Sequence, residues 1–272
     1  MLWLPIMVNV IVLTITLKHS IWEALTLGLS LCFIASYGFL INDLRDLQAD
    51  RYNKAGKLEN APDNILRLAS NASVLFLTLG LSLVAVFQFY SFLGVLMIAG
   101  GLTVYTFWIR PKLYLANVLA AFLASSPLWL PNLAFLHAPD IAQIGILAVA
   151  VLLLLGREII FDIADHFGDA RMKRRTISIV SGDRFARRIA VAMQFSGCGL
   201  LIGLALLQGG QMSILPQLLL YASCGVFVLL VVSANMKVIA RPMEASLKRI
   251  FTMRTRLAML VLPVLLFLLI HR

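Results

Sequence analysis

The chain has 272 residues, 61% of them hydrophobic and 13% charged, with a formal net charge of +10. Soluble globular chains carry about 25% charged residues, and here the charges are gathered into short runs. A soluble basic domain is therefore excluded, and nucleic acid is not an expected partner.

The apolar runs are continuous rather than alternating, so the backbone expected in lipid is the helix, which satisfies its own hydrogen bonds there. In chain order they predict nine spans, at 2–17, 21–41, 65–87, 91–109, 115–136, 141–161, 187–207, 213–235 and 255–270. A bilayer core needs about 20 helical residues. The first run is short, but it lacks the basic leader and small-residue cleavage site of a signal peptide, so it is read as a mature span. The expectation is an all-α polytopic membrane bundle of about nine transmembrane helices, with residues 1–272 forming a single domain. Every Lys and Arg except Lys18 and Arg272 falls on one side of this arrangement. By the positive-inside rule that side is cytoplasmic or its organelle equivalent. The net charge is thus first a topology signal, with membrane lipid or a phosphorylated substrate as further partners. Cys32, Cys198 and Cys224 lie inside spans without a Cys/His partner motif, as small apolar residues do.

Two acidic runs leave the bundle on the basic side. After span two comes INDLRDLQAD. If the helix continues, Asp46, Asp50 and Asp43 lie at about 40°, 80° and 100° from Asn42, all on one side. After span six, Glu158, Asp162, Asp165 and Asp169 fall within an arc of about 60°. Like charges at this spacing repel, and more so near a membrane cavity. Local arginines, protonation or a divalent cation would each offset that repulsion. All-oxygen ligands suit Mg²⁺ or Ca²⁺. The competing reading is a pair of solvated helix ends with ordinary ion pairs. Both runs, however, face one compartment and carry flanking bases: Arg51 and Lys54 after the first, Arg171, Lys173, Arg174 and Arg175 after the second. Acids holding Mg²⁺ beside cations form a receptor for phosphate oxygens, and a diphosphate fits it better than a free ion.

The first run fits N-D-x-x-D-x-x-x-D through Asn42, Asp43, Asp46 and Asp50. DHFGD fits D-x-x-x-D through Asp165 and Asp169, within REIIFDIADHFGDARMKRRT. With their positions after spans two and six, these residues resemble the UbiA superfamily of intramembrane prenyltransferases over most of the chain. The resemblance implies a helical bundle around a central cavity open to lipid. It also implies two Mg²⁺ ions gripping the diphosphate of a prenyl diphosphate donor, and transfer of the prenyl group to a lipophilic or aromatic acceptor. Asn42, Asp46, Asp50, Asp165 and Asp169 become metal-site residues, with Asp43 and Asp162 in support. Asp46, Asp50, Asp165 and Asp169 carry the catalytic role. Arg51, Lys54, Arg171 and Arg175 become diphosphate ligands, joined by Tyr105 and a base after span four. There the family spacing Tyr-x-x-x-Lys falls on Ile109, so Arg110 or Lys112 must substitute; the alternative for this trio is an interfacial anchor. The chain also lacks the usual Arg-Pro leader, and Lys173 stands where relatives have Gly.

The implied chemistry is ionisation of an allylic diphosphate, with Mg²⁺ and cationic side chains stabilising the leaving group and an apolar cavity excluding water. Tyr37, Phe39, Phe107, Trp108 and Phe161 are either cation-stabilising rings or packing and belt residues. Arg157 and Glu158 form a buried ion pair or support the metal shell. His166 is a base or a solvated loop histidine. Asn9, Asn117 and Asn132 hydrogen-bond between helices, Pro127 and Pro131 kink span five, and the eighth loop is an interfacial segment. A terpene cyclase and a transferase joining phosphoribosyl diphosphate to a polyprenyl phosphate are alternatives on the same scaffold. A cation transporter is a remote one, since its acids would lie near the midplane of spans.

Overall fold

The computed structural model describes residues 3–53, 58–86, 88–110, 115–210, 212–240 and 245–270. Lys54 and Lys112 lie outside them. In order the helices are α1 (Trp3–Thr16), α2 (Ile21–Arg45), α3 (Leu47–Asn53), α4 (Asp63–Ala85) and α5 (Phe89–Val104), the last running into a π turn over Tyr105–Ile109. Next come α6 (Leu115–Ala124), a 3₁₀ turn (Ser126–Leu128), α7 (Leu130–Ala134), α8 (Ile141–Ala164), α9 (His166–Arg171) and α10 (Ile177–Ser181). Three long helices finish the chain: α11 (Asp183–Gly209), α12 (Ile214–Ala240) and α13 (Ala245–Ile270).

Among the described residues, seven helices are long and apolar enough to cross a bilayer. Of the other two expected spans, both apolar, one is short and one is broken. The first is the 14-residue α1. The fifth is broken into α6, the 3₁₀ turn and α7, because Pro127 and Pro131 each remove a backbone donor. What the sequence suggested as a kink is a full interruption. The stretch between spans eight and nine is largely helix, since α12 runs to Ala240 and α13 begins at Ala245.

Helix ends on the non-acidic side are set by capping boxes, Ser20 with Glu23 at α2 and Asp140 with Gln143 at α8. Between helices, small residues and buried amides replace the hydrophobic effect as the source of specificity. Gly156 of α8 meets α11 so closely that a Cβ there would sit 2.6 Å from the Ala190 carbonyl oxygen. Gln194 of α11 donates to the Leu153 carbonyl (3.1 Å), and Asn235 of α12 donates to Gln194 (2.6 Å). These bonds join α8, α11 and α12 around an apolar core that includes Leu153, Leu201, Phe227 and Leu262. A second core, including Leu27, Ile34, Val95 and Leu130, joins α2, α4, α5 and α7. Here Ser30 donates to the Gly80 carbonyl at 2.6 Å. Asn9 ties α1 to α13 by donating to the Met259 carbonyl at 3.3 Å. Between the two cores lies a cavity of about 220 Å³.

Candidate active site

Both acidic runs have the same local architecture. Helix α2 ends at Arg45, Asp46 takes φ −89° and ψ −1°, and α3 restarts at Leu47. Helix α8 ends at Ala164, Asp165 takes φ −99° and ψ 6°, and α9 restarts at His166. The amide of Asp50 still donates to the Asp46 carbonyl (2.8 Å), and that of Asp169 to the Asp165 carbonyl (3.0 Å). Each break bends the chain without losing the i,i+4 relation of its two aspartates.

The bends bring α3 and α9 together. The Asn53 side chain spans them: its Oδ1 accepts from the Gly168 amide at 2.6 Å, and its Nδ2 donates to the carbonyl of Asp165 at 3.3 Å, 112 residues away in the chain. Gly168 is required by this approach, since a Cβ there would lie 2.5 Å from both the Ala49 carbonyl oxygen and Asn53 Nδ2. The acids are joined by arginine. Arg174 donates to Asp169 Oδ1 at 2.9 Å and to Asp46 Oδ1 at 2.6 Å, so one guanidinium links the two motifs. Asp46, only 3% exposed, is also in close contact with Arg110, which donates to the Asn42 side chain as well. Asn42 Nδ2 donates to the other Asp46 oxygen at 3.2 Å.

The electrostatics are those of a crowded carboxylate site. Burial, and then the charges of Asp46, Asp165 and Asp43, push the Asp50 carboxyl up to about 6. Burial also raises Asp169, against the opposing pull of Arg174. Asp162, one turn inside α8, accepts from Asn117 of α6 at 2.8 Å.

The spacing problem after span four has a backbone answer. In the π turn the Arg110 amide donates to the Tyr105 carbonyl, an i to i−5 bond of 2.9 Å. The inserted residue carries Arg110 around to the acidic cluster, where a regular helix would have placed Ile109.

Other expected residues lie elsewhere. Arg51 donates to the Glu59 carbonyl at 2.9 Å, and Arg171 stands over the Tyr52 and Phe167 rings at 5.7 and 5.3 Å. Both are exposed, as is Arg175 in the segment between α9 and α10. His166 Nδ1 is 2.6 Å from Ser178 Oγ and 3.0 Å from Asp183, a clasp between α9, α10 and α11. Arg157 pairs with Glu158 at 2.6 Å and lies over Phe161. Tyr37 shares a 2.7 Å hydrogen bond with Thr103, whereas Phe107 and Trp108 are exposed. Two central residues escaped the sequence assignment. Arg174 was one base in a run of four, with nothing to single it out. Asn53 carried no signal, because its partner is a backbone amide.

The cavity opens from this cluster into the bundle. Asn42, Tyr105 and Glu158 line it together with apolar residues such as Leu31, Leu102 and Leu123. As a metal centre, the donors are carboxylates and an amide oxygen, which suit a hard cation. Among the described residues no three His, Cys, Asp or Glu side chains group tightly enough to hold one ion alone. A magnesium site can take one or two carboxylates per ion, completed by substrate phosphate and water.

Residues 2–269 match the model of the UbiA prenyltransferase family. The digeranylgeranylglyceryl phosphate synthase of Saccharolobus solfataricus is 28% identical over 175 residues, 64% of this chain. The match spans only about three fifths of that relative's length, 61%. Two solved structures share the fold. A UbiA homolog from Aeropyrum pernix K1 has a TM-score of 0.70 at 14% identity, covering 97% of this chain and 94% of its own. A UbiA homolog from Archaeoglobus fulgidus bound to DMAPP and Mg²⁺ has a TM-score of 0.65 at 16% identity, covering 97% and 95%. With the family model spanning nearly its whole length, the chain belongs to the UbiA prenyltransferase family.

Proposed function

We propose that this multi-pass membrane protein transfers a prenyl group from a prenyl diphosphate to a lipophilic or aromatic acceptor, with Mg²⁺ as cofactor. The observation that carries the reading is the convergence of the two acidic runs, joined through Arg174, with Arg110 on Asp46 beside an apolar cavity that Asn42 lines. The DMAPP and Mg²⁺ bound by the Archaeoglobus homolog favour this donor and this metal. The name of the Saccharolobus relative favours a glyceryl phosphate among the possible acceptors. The basic, acid-bearing side is cytoplasmic on this reading, and residues 1–272 act as one domain.

Asp46, Asp50, Asp165 and Asp169, with Asn42, would hold the metal, and Asp43 and Asp162 would support them. Bound there, Mg²⁺ supplies charge neutralisation for the departing diphosphate. The protein's own part follows from position. Arg110 and Arg174, now on Asp46 and Asp169, are within reach to transfer their donors to diphosphate oxygens as charge develops there. Tyr105, in the cavity wall beside them, orients the donor. Apolar walls keep water from the allylic cation once the carbon–oxygen bond breaks. The acids stand at helix ends rather than at the middle of spans, which disfavours a transporter.

The test is purified protein with labelled prenyl diphosphates, in Mg²⁺ or chelator, followed by product mass. Metal-dependent prenylated product is expected. Diphosphate release without an acceptor would favour a cyclase, and no turnover with any donor from DMAPP to C50 would refute the proposal.

A further inference from the structure

Deeper in the same cavity stands a second charged group, distinct from the acidic cluster. Arg157 lies seven residues before Ala164 at the end of α8, and Arg256 six residues after Ile250, where the last span begins. At 1.5 Å per residue, both sit about 10 Å inside the bundle on the acidic side. Both line the cavity, as does Asn9 of α1.

Their partners are unequal. Arg157 is neutralised by Glu158 at 2.6 Å. Arg256 forms no hydrogen bond or ion pair among the described residues; its strongest charged neighbour is the like-charged Arg157. The Nε of Arg256 and the Oδ1 of Asn9 are closed off from solvent and bonded to nothing among the described residues. Residues that bear an unpartnered donor and an unpartnered acceptor thus line one cavity together with Arg157 and Glu158. Such groups, desolvated and unpaired, destabilise the cavity, so a ligand that pairs them is favoured. Arg256 is part of the cavity wall, with Nε covered.

We propose that Arg256, assisted by Arg157, anchors an anionic headgroup of the prenyl acceptor, so that the acceptor is an amphiphile carrying a phosphate or carboxylate. Asn9, which lines the same cavity, offers an amide oxygen to a hydroxyl of the same molecule once the ligand opens it. The inference rests on the transferase reading but concerns the acceptor alone. An anion at Arg256 places the acceptor on the membrane side of the diphosphate, with its apolar tail among the helices.

The experiment saturates the acidic cluster first, with an unreactive prenyl thiolodiphosphate and Mg²⁺. Binding of decyl phosphate, decanoate and decanol is then measured for wild type and for Arg256→Gln and Arg256→Lys in nanodiscs. At least one anion should bind wild type more tightly than decanol. Arg256→Gln should weaken that anion roughly 10- to 100-fold, the loss of one charge-assisted bond, with thiolodiphosphate affinity unchanged. Arg256→Lys should keep most of the preference. The tighter anion distinguishes phosphate from carboxylate recognition. Decanol binding wild type as tightly as both anions, with thiolodiphosphate bound normally, overturns this inference alone and needs no variant. Anion preference surviving in Arg256→Gln overturns it as well. Failure of Mg²⁺-dependent thiolodiphosphate binding would overturn the transferase reading, and this one with it.

Discussion

Asn53→Ala isolates the device that holds the two acidic motifs together, without altering a proposed metal-ligating side chain. Two hydrogen bonds are lost, at 2.6 Å from the Gly168 amide and 3.3 Å to the Asp165 carbonyl. Gly168 is buried, so its amide is left unsatisfied, at about 1–3 kcal/mol; the longer bond adds about 0.5–1 kcal/mol. The sum, roughly 1.5–4 kcal/mol, acts on the docking of α3 against α9. The membrane-spanning cores contain neither helix, so global stability should change little. If Mg²⁺-diphosphate binding requires the docked arrangement, its affinity should fall by about 10-fold to several hundred-fold. The assay is retention of labelled prenyl diphosphate on immobilised protein across a Mg²⁺ titration, with thermal unfolding of the same sample. Unchanged donor affinity at an unchanged Tm would refute the claim that Asn53 sets the distance between the motifs. A large fall in Tm with normal affinity would show a global rather than local role.

Asp46→Ala or Asp165→Ala should abolish turnover while the protein still inserts and melts cooperatively; activity retained in both would remove the metal assignment. Arg174→Gln leaves Asp169 without its guanidinium, and breaking such a pair costs roughly 3 kcal/mol. The metal-free Tm should therefore drop, and Mg²⁺ should recover part of the loss by taking the place of the lost charge. The Asp50 carboxyl, held up at about 6 against an ordinary 3.8, keeps its proton in the folded state over a window where the unfolded chain has lost it. Metal-free stability from this group is therefore present below about pH 4 and lost as pH rises toward 6. Mg²⁺ competes with that proton, so its affinity should rise through pH 6. Thermal unfolding in chelator and Mg²⁺ titrations, repeated with Asp50→Asn, would show both trends flattened in the variant.

Much of the fold was legible because lipid allows few solutions. Continuous apolar runs must be helices, and the charge bias sets their alternation. Legibility failed where length and composition do not decide. The run at 115–136 is apolar enough to read as one span, but Pro127 and Pro131 interrupt its hydrogen-bond ladder. Likewise, the basic stretch after span eight reads as a loop by charge, although helix extends through most of it.

The candidate site divides along a similar line. Residues that act by charge at helical spacing announce themselves, and the acidic runs did so. Those that act through main-chain geometry do not. Asn53 is unremarkable as a letter, and matters through the amide of a glycine that only close helix packing explains. Arg110 is the sharper case. Counted by letters, the base after Tyr105 sits one position too far along for a regular helix. The π turn accommodates that extra residue, bonding Arg110 back to Tyr105 and bringing its guanidinium onto Asn42 and Asp46. A motif written as fixed letter spacings assumes an α-helical backbone. When the backbone is itself wound differently, the same side-chain placement needs a different spacing, so the apparent departure from the pattern and the unusual turn are one feature.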